Sequence, residues 1–123
     1  MESENISKIK KTTGIMAEVA VRIIAVTVII AAILGYRVLF VMSGSMEPVI
    51  REGQMIVVRR VGDARELEVG DIVTYLKPED DYTVTHRIIE VTDEGFVTKG
   101  DYNRYADQQI VEPEWVKYKV VWY

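Results

Sequence analysis

The sequence predicts a mainly β body, a small antiparallel barrel or sandwich, that follows one amino-terminal transmembrane helix. Three observations carry this expectation. Roughly the first 40 of the 123 residues are dominated by Ile, Val, Ala and Leu. Beyond residue 42, short runs rich in β-branched and aromatic residues recur. Gly, Asp and Pro punctuate those runs at close intervals.

The apolar stretch is measured against a bilayer. Ile23–Tyr36 is free of charge but has only fourteen residues, and a spanning helix needs roughly 20. Extending it from Val19 to Phe40 gives twenty-two and takes in Arg22 and Arg37 near the ends. Long Arg stems reach the headgroups from such positions. Glu18 and Arg22 are spaced i,i+4 and would pair. We therefore divide the chain into a cytoplasmic tail (1–14), a transmembrane anchor (15–41) and an exoplasmic β-rich domain (42–123). Lys8, Lys10 and Lys11 precede the span and set that orientation by the positive-inside rule. A cleavable secretory signal is the other reading of such a segment. Gly35 would suit the residue before a cut, but Ile33 is too large two positions earlier.

The strands expected in the body are Gln54–Arg60, Asp71–Leu76, Tyr82–Val91, Gly95–Gly100 and Glu114–Tyr123. Between them lie turn signals at Glu52-Gly53, Val61-Gly62-Asp63, Val69-Gly70-Asp71, Pro78 to Asp81, and Asp93-Glu94-Gly95. Helical spacing after residue 42 extends to no more than a turn around Ala64–Glu68. On the last strand Val116, Tyr118, Val120 and Trp122 share a face, which reads as core. Glu79-Asp80-Asp81 reads as a solvated loop tip.

Charge and composition narrow the chemistry. Residues 1–37 carry five Lys and Arg against three Glu, so the net −4 arises wholly from an acidic body. An acidic body argues against nucleic acid as a partner, because phosphate binding needs clustered Lys and Arg. Without cysteine there is no disulfide, thiol nucleophile or zinc–thiolate site.

The stretch "MSGSMEP" (Met42–Pro48) begins where the apolar segment ends. Ser45 is a candidate nucleophile, and a serine hydroxyl needs an adjacent base to take its proton. His86 in "VTHRII" is the chain's single histidine. Strand alternation puts it on one face with Val84 and Ile88, where an imidazole needs a polar partner. Asp101 and Asp107 in "TKGDYNRYADQQ" both qualify to orient the ring, and spacing does not choose between them. Ser43, two residues before Ser45, can supply a hydroxyl to an oxyanion beside the Ser45 amide.

In this order, "SGSMEP", "VGDIV", "VTHRI" and "TKGD" after one amino-terminal span resemble type I signal peptidases. More narrowly, they resemble the endoplasmic-reticulum and archaeal branch, which some Gram-positive bacteria share. The resemblance runs from about residue 15 to the end of the sequence. It implies Ser45 as nucleophile, from its place before Met46, and His86 as general base where the bacterial branch has lysine. In this branch the triad acid lies six residues after the acid of the Gly-Asp box, which implies Asp107. Asp101 becomes a supporting acid and Ser43 an oxyanion donor. Two features depart from the family pattern. Tyr102 stands where Asn is common, and the sequence stops soon after its last strand, without the further apolar span of some archaeal members.

The resemblance implies a membrane-bound serine endopeptidase that removes amino-terminal signal peptides after small residues, with no metal or organic cofactor. Its partners would be secretory preproteins, the lipid bilayer and other membrane subunits. Its place would be the cell membrane or the endoplasmic-reticulum membrane, crossed once. Two rivals are weighed against it. Self-cleaving repressor-type peptidases share a Ser-Met stretch and a related β fold, but they use a lysine base and a DNA-binding domain. An inactive membrane-anchored β module serving a larger complex would have no need of Ser45, His86 and Asp107 together.

Overall fold

The computed structural model describes all 123 residues, in two compact units, Met1–Leu34 and Gly35–Tyr123.

The first unit is a single helix, α1 (Glu2–Ile33). Its 32 residues rise about 48 Å at 1.5 Å each, and it is long and apolar enough to cross a membrane. Polar groups inside it are largely satisfied locally. Thr27 Oγ1 donates to the Ile23 carbonyl at 2.9 Å, and Arg22 meets Glu18 at 3.7 Å, as the i,i+4 spacing predicts. The helix stops at Gly35, whose φ of +85° lies in the left-handed region that glycine enters at little cost.

That stop falls inside the segment expected to be the anchor, 15–41. The helix begins well before residue 15, and residues 36–40 leave it to form a strand, β1 (Tyr36–Phe40). "YRVLF" is as apolar as the helix before it, so hydropathy alone runs the two together. Gly35 is the signal that separates them.

The second unit is a six-stranded antiparallel sheet. Its remaining strands are β2 (Met55–Arg60), β3 (Ile72–Tyr75), β4 (Val84–Val91), β5 (Phe96–Lys99) and β6 (Val116–Trp122), in the spatial order β1-β2-β6-β3-β4-β5. The mainly β expectation holds, and each of the five strands read from sequence is present within two residues of its expected ends. The helical turn near Ala64 is a single-turn helix, Ala64–Glu66.

Apolar clusters cover both faces of the sheet. Val41, Met46, Ile50, Ile56, Val58, Ile72 and Val120 form one; Leu67, Val73, Tyr75, Ile88, Phe96, Val111 and Val116 form the other. Ile72 of β3 joins the first cluster and Val73 and Tyr75 the second, and all four β3 residues are buried. Each fully buried aliphatic side chain here contributes roughly 1.5–3 kcal/mol relative to exposure. On β6 the core reading holds for Val116 and Val120, while Trp122 is 62% exposed. A register shift where β2 meets β6, between Val57 and Val58, lies beside that change.

Candidate active site

Ser45 sits in a single-turn helix, Gly44–Met46, just beyond β1. Apolar anchors pin this turn on either side of the serine. Val41 and Met46 are buried in the first cluster with Ile50. The Ile50 amide donates to the Met46 carbonyl, and the Val41 amide to that of Gln54. The hydroxyl is therefore presented by a short turn held from both ends.

His86 lies in β4, paired across the ladder with Val73. Its side chain shares the face of Val73 and Ile88, as strand alternation predicts, and the residue is buried. Its Nε2 is 3.2 Å from Ser45 Oγ, and its Nδ1 is 2.6 Å from Asp107 Oδ2. An ionised carboxylate only accepts, so Nδ1 carries the hydrogen and Nε2 is left to accept from the serine.

Asp107 is held by more than the imidazole. Thr98 Oγ1 donates to the same Oδ2 at 2.6 Å, and the Tyr75 hydroxyl does so at 3.2 Å. The Asp107 amide also donates to the Thr98 carbonyl, fixing the loop to the end of β5. Partial burial works against the charged carboxylate. The hydrogen bonds from His86, Thr98 and Tyr75 outweigh it and hold Asp107 below the usual carboxylate range. Burial first, and then the neighbouring Asp107 charge, push the Tyr75 phenol up to about 12, so it remains a donor.

The two aspartates left open by spacing are separated by geometry. Asp107 faces His86. Asp101 instead takes a two-pronged bond from Arg87, Nε to Oδ1 at 2.9 Å and a terminal nitrogen to Oδ2 at 2.7 Å. Arg87 also donates to the Gly70 carbonyl, and its bond with Asp101 raises its own pKa. Asp101 thus supports the loop that carries Asp107 without touching the ring. Ser43 Oγ is 3.3 Å from Ser45 Oγ, on the lip of the same cleft.

Thr98, Tyr75 and Gly100 were not singled out from sequence. Thr98 belongs to the quoted "TKGD" box, but its register opposite Ile88 is what turns it toward Asp107. Gly100 allows a close approach. A methyl group there would stand 2.5 Å from the Ser45 carbonyl oxygen, 2.7 Å from Asn103 Nδ2 and 3.0 Å from His86 Nε2.

An open groove of about 820 Å³ runs up to these residues. Leu39, Val41, Ile56, Tyr82 and Val84 give it apolar walls, with Ser45 and His86 in its lining. Both flanking strands have unpaired edges. β1 pairs only with β2, and the β4 residues before Arg87 have no β5 partner.

The family model for signal peptidase, peptidase S26, matches residues 14–110. The chain belongs to the signal peptidase family. Among curated relatives of this family, signal peptidase I W of Bacillus subtilis is 41% identical over 90 residues, covering 70% of this chain and 47% of the relative. The signal peptidase complex catalytic subunit SEC11 of Fusarium vanettenii is 32% identical over 77 residues, covering 59% and 45%. SEC11 of Neurospora crassa shows the same figures. The chain spans about half the length of these signal peptidases. No solved structure matches it.

Proposed function

We propose that this chain is a membrane-anchored serine endopeptidase that removes signal peptides from secretory precursors. Supporting this reading most directly is the continuous hydrogen-bonded line from Ser45 through His86 to Asp107, at 3.2 and 2.6 Å. Membership of the signal peptidase family supplies the substrate class.

The precursor's cleavage region lies extended in the groove and pairs with the free strand edges, as an added strand does. His86 Nε2 takes the Ser45 proton as Oγ attacks the scissile carbonyl. Asp107 keeps the ring in the required tautomer and stabilises its charged form. The Ser43 hydroxyl and the Ser45 amide receive the oxyanion. His86 then protonates the leaving amine, and water activated by the same ring releases the acyl group. Small side chains at the first and third positions before the cut follow from the family resemblance. The route uses neither metal nor organic cofactor.

In this reading α1 is the single membrane span, with the basic residues Lys8, Lys10 and Lys11 on the cytoplasmic side and the β body outside. Anchoring holds enzyme and precursor at one surface and raises their effective concentration. The SEC11 relatives are named as subunits of a complex, and further membrane subunits are proposed here on that likeness.

The test is incubation of the full chain in liposomes with a precursor whose signal ends in Ala-x-Ala, followed by mass analysis. Cleavage directly after the second Ala is expected, and Ser45→Ala should abolish it. Unchanged cleavage by Ser45→Ala protein would remove the serine mechanism.

A further inference from the structure

One polar side chain in the groove has no task in the steps above. Asn103 lines the groove beside Ser45 and His86. Its backbone is fully engaged: the amide donates to the Gly100 carbonyl at 2.9 Å, and its carbonyl accepts from Lys99 Nζ at 2.8 Å. Lys99 also grips the Gly100 carbonyl at 3.0 Å, so the tight turn holding Asn103 is clamped by a cation. The carboxamide itself bonds to no protein group, and it is not sealed from solvent. A rigid backbone therefore presents an unspent amide to the cleft.

Its position is fixed relative to the reacting atoms. Asn103 Nδ2 and His86 Nε2 both lie within 3.0 Å of the point where a Gly100 methyl would stand, so they are at most roughly 6 Å apart. A gap near that upper bound admits a single water with two ordinary hydrogen bonds. Ser43 stands 3.3 Å from Ser45 Oγ, while Asn103 is defined by its closeness to the imidazole and Gly100. The imidazole is where an incoming water must be met once the leaving amine has gone.

We propose that Asn103 positions the water that hydrolyses the acyl-enzyme. This rests on the reading of Ser45 as nucleophile. The water oxygen attacks the ester carbonyl carbon on Ser45 and gives one proton to His86 Nε2. The carbon–Oγ bond then breaks, the imidazolium returns that proton to Oγ, and the peptide leaves as a carboxylic acid. Asn103 holds the water by a second hydrogen bond, so that its attacking lone pair and its departing proton are aligned together.

Two substrates separate this step from acylation. With a peptide ester ending in Ala-x-Ala, acylation is fast and turnover reads hydrolysis of the acyl-enzyme. With the matching peptide amide, kcat/KM reads acylation. Asn103→Ala and the similarly sized Asn103→Leu should each lower kcat on the ester by about tenfold or more, the worth of one well-placed hydrogen bond. The amide kcat/KM should stay within about twofold of wild type, and intact mass should show the peptidyl adduct accumulating on Ser45. Equal losses on both substrates would make Asn103 a contact to the peptide, and unchanged ester turnover would leave it idle; either result overturns the proposal. A wild-type chain that cleaves neither substrate overturns the serine reading, and this inference falls with it.

Discussion

His86 and Arg87 are consecutive residues of β4, and each takes one aspartate from the same loop. Because a strand alternates its faces, the imidazole reaches Asp107 on one side of the sheet and the guanidinium reaches Asp101 on the other. The two pairs are alike in distance and opposite in chemistry. The Arg87–Asp101 pair is a two-pronged hydrogen bond between a guanidinium and a carboxylate, which orders a loop and moves no proton. The His86–Asp107 pair joins an ordinarily titratable ring to a carboxylate, with a hydroxyl waiting on the ring's far nitrogen. One arrangement holds the loop still; in the proposed function the other moves the proton.

Exchanging the two acids for amides should separate the two pairs by the widest margin. Asp107→Asn should lower kcat for precursor cleavage by roughly a thousandfold to ten-thousandfold, since the amide favours the wrong imidazole tautomer. Its melting temperature should fall modestly, because the ionised carboxylate also contributes to the fold. Asp101→Asn should do the reverse, costing about 1.5–3 kcal/mol in denaturant unfolding by weakening a charged two-pronged bond, with a much smaller loss of kcat. Equal kinetic effects from the two variants would mean that the faces do not divide the labour in this way.

Next in size is Gly100→Ala. Its methyl would press on the Ser45 carbonyl and His86 Nε2 at once, and displacement of about 1 Å there should cost on the order of a hundredfold in kcat. Thermal melting monitored by circular dichroism should show the body still folded.

Thr98→Val and Tyr75→Phe each remove one donor from Asp107. The shorter Thr98 bond should matter more, with a loss of about 1 kcal/mol in stability and a several-fold drop in kcat. The Tyr75→Phe effect should be smaller in both measurements.

These donors also show what the sequence could not display. The nucleophile box, the single histidine and two candidate acids were legible from residue type and order, and so were five strands. The choice between Asp101 and Asp107 was not physically legible, because it depends on which face of β4 each meets across a loop. Thr98 and Tyr75 were hidden for a related reason: Tyr75 sits two residues along β3 from Val73, the partner of His86, and only ladder register brings its hydroxyl to Asp107. β1 was masked by composition. Tyr36, Val38 and Phe40 continue the apolar run of the helix, and one glycine conformation divides strand from span.

The smallest expected effect is in acid. Asp107 has its pKa lowered in the folded chain, so its ionised form stabilises the fold above the ordinary value of 3.8. That contribution is lost as pH falls from 3.8 through the lower folded value. Denaturant unfolding followed down to about pH 2 should show wild type losing stability more steeply than Asp107→Asn over this window. Parallel curves would contradict the assignment of the shift to the His86, Thr98 and Tyr75 bonds.

One imidazole links Ser45 to Asp107, and the chain has a single histidine, so proton NMR of the full chain in detergent reads that link without ambiguity. One strongly deshielded imidazole N–H resonance is expected, lost in Asp107→Asn, retained in Asp101→Asn and shifted in Ser45→Ala. A resonance that survives in Asp107→Asn unchanged, or that ignores Ser45→Ala, would contradict it.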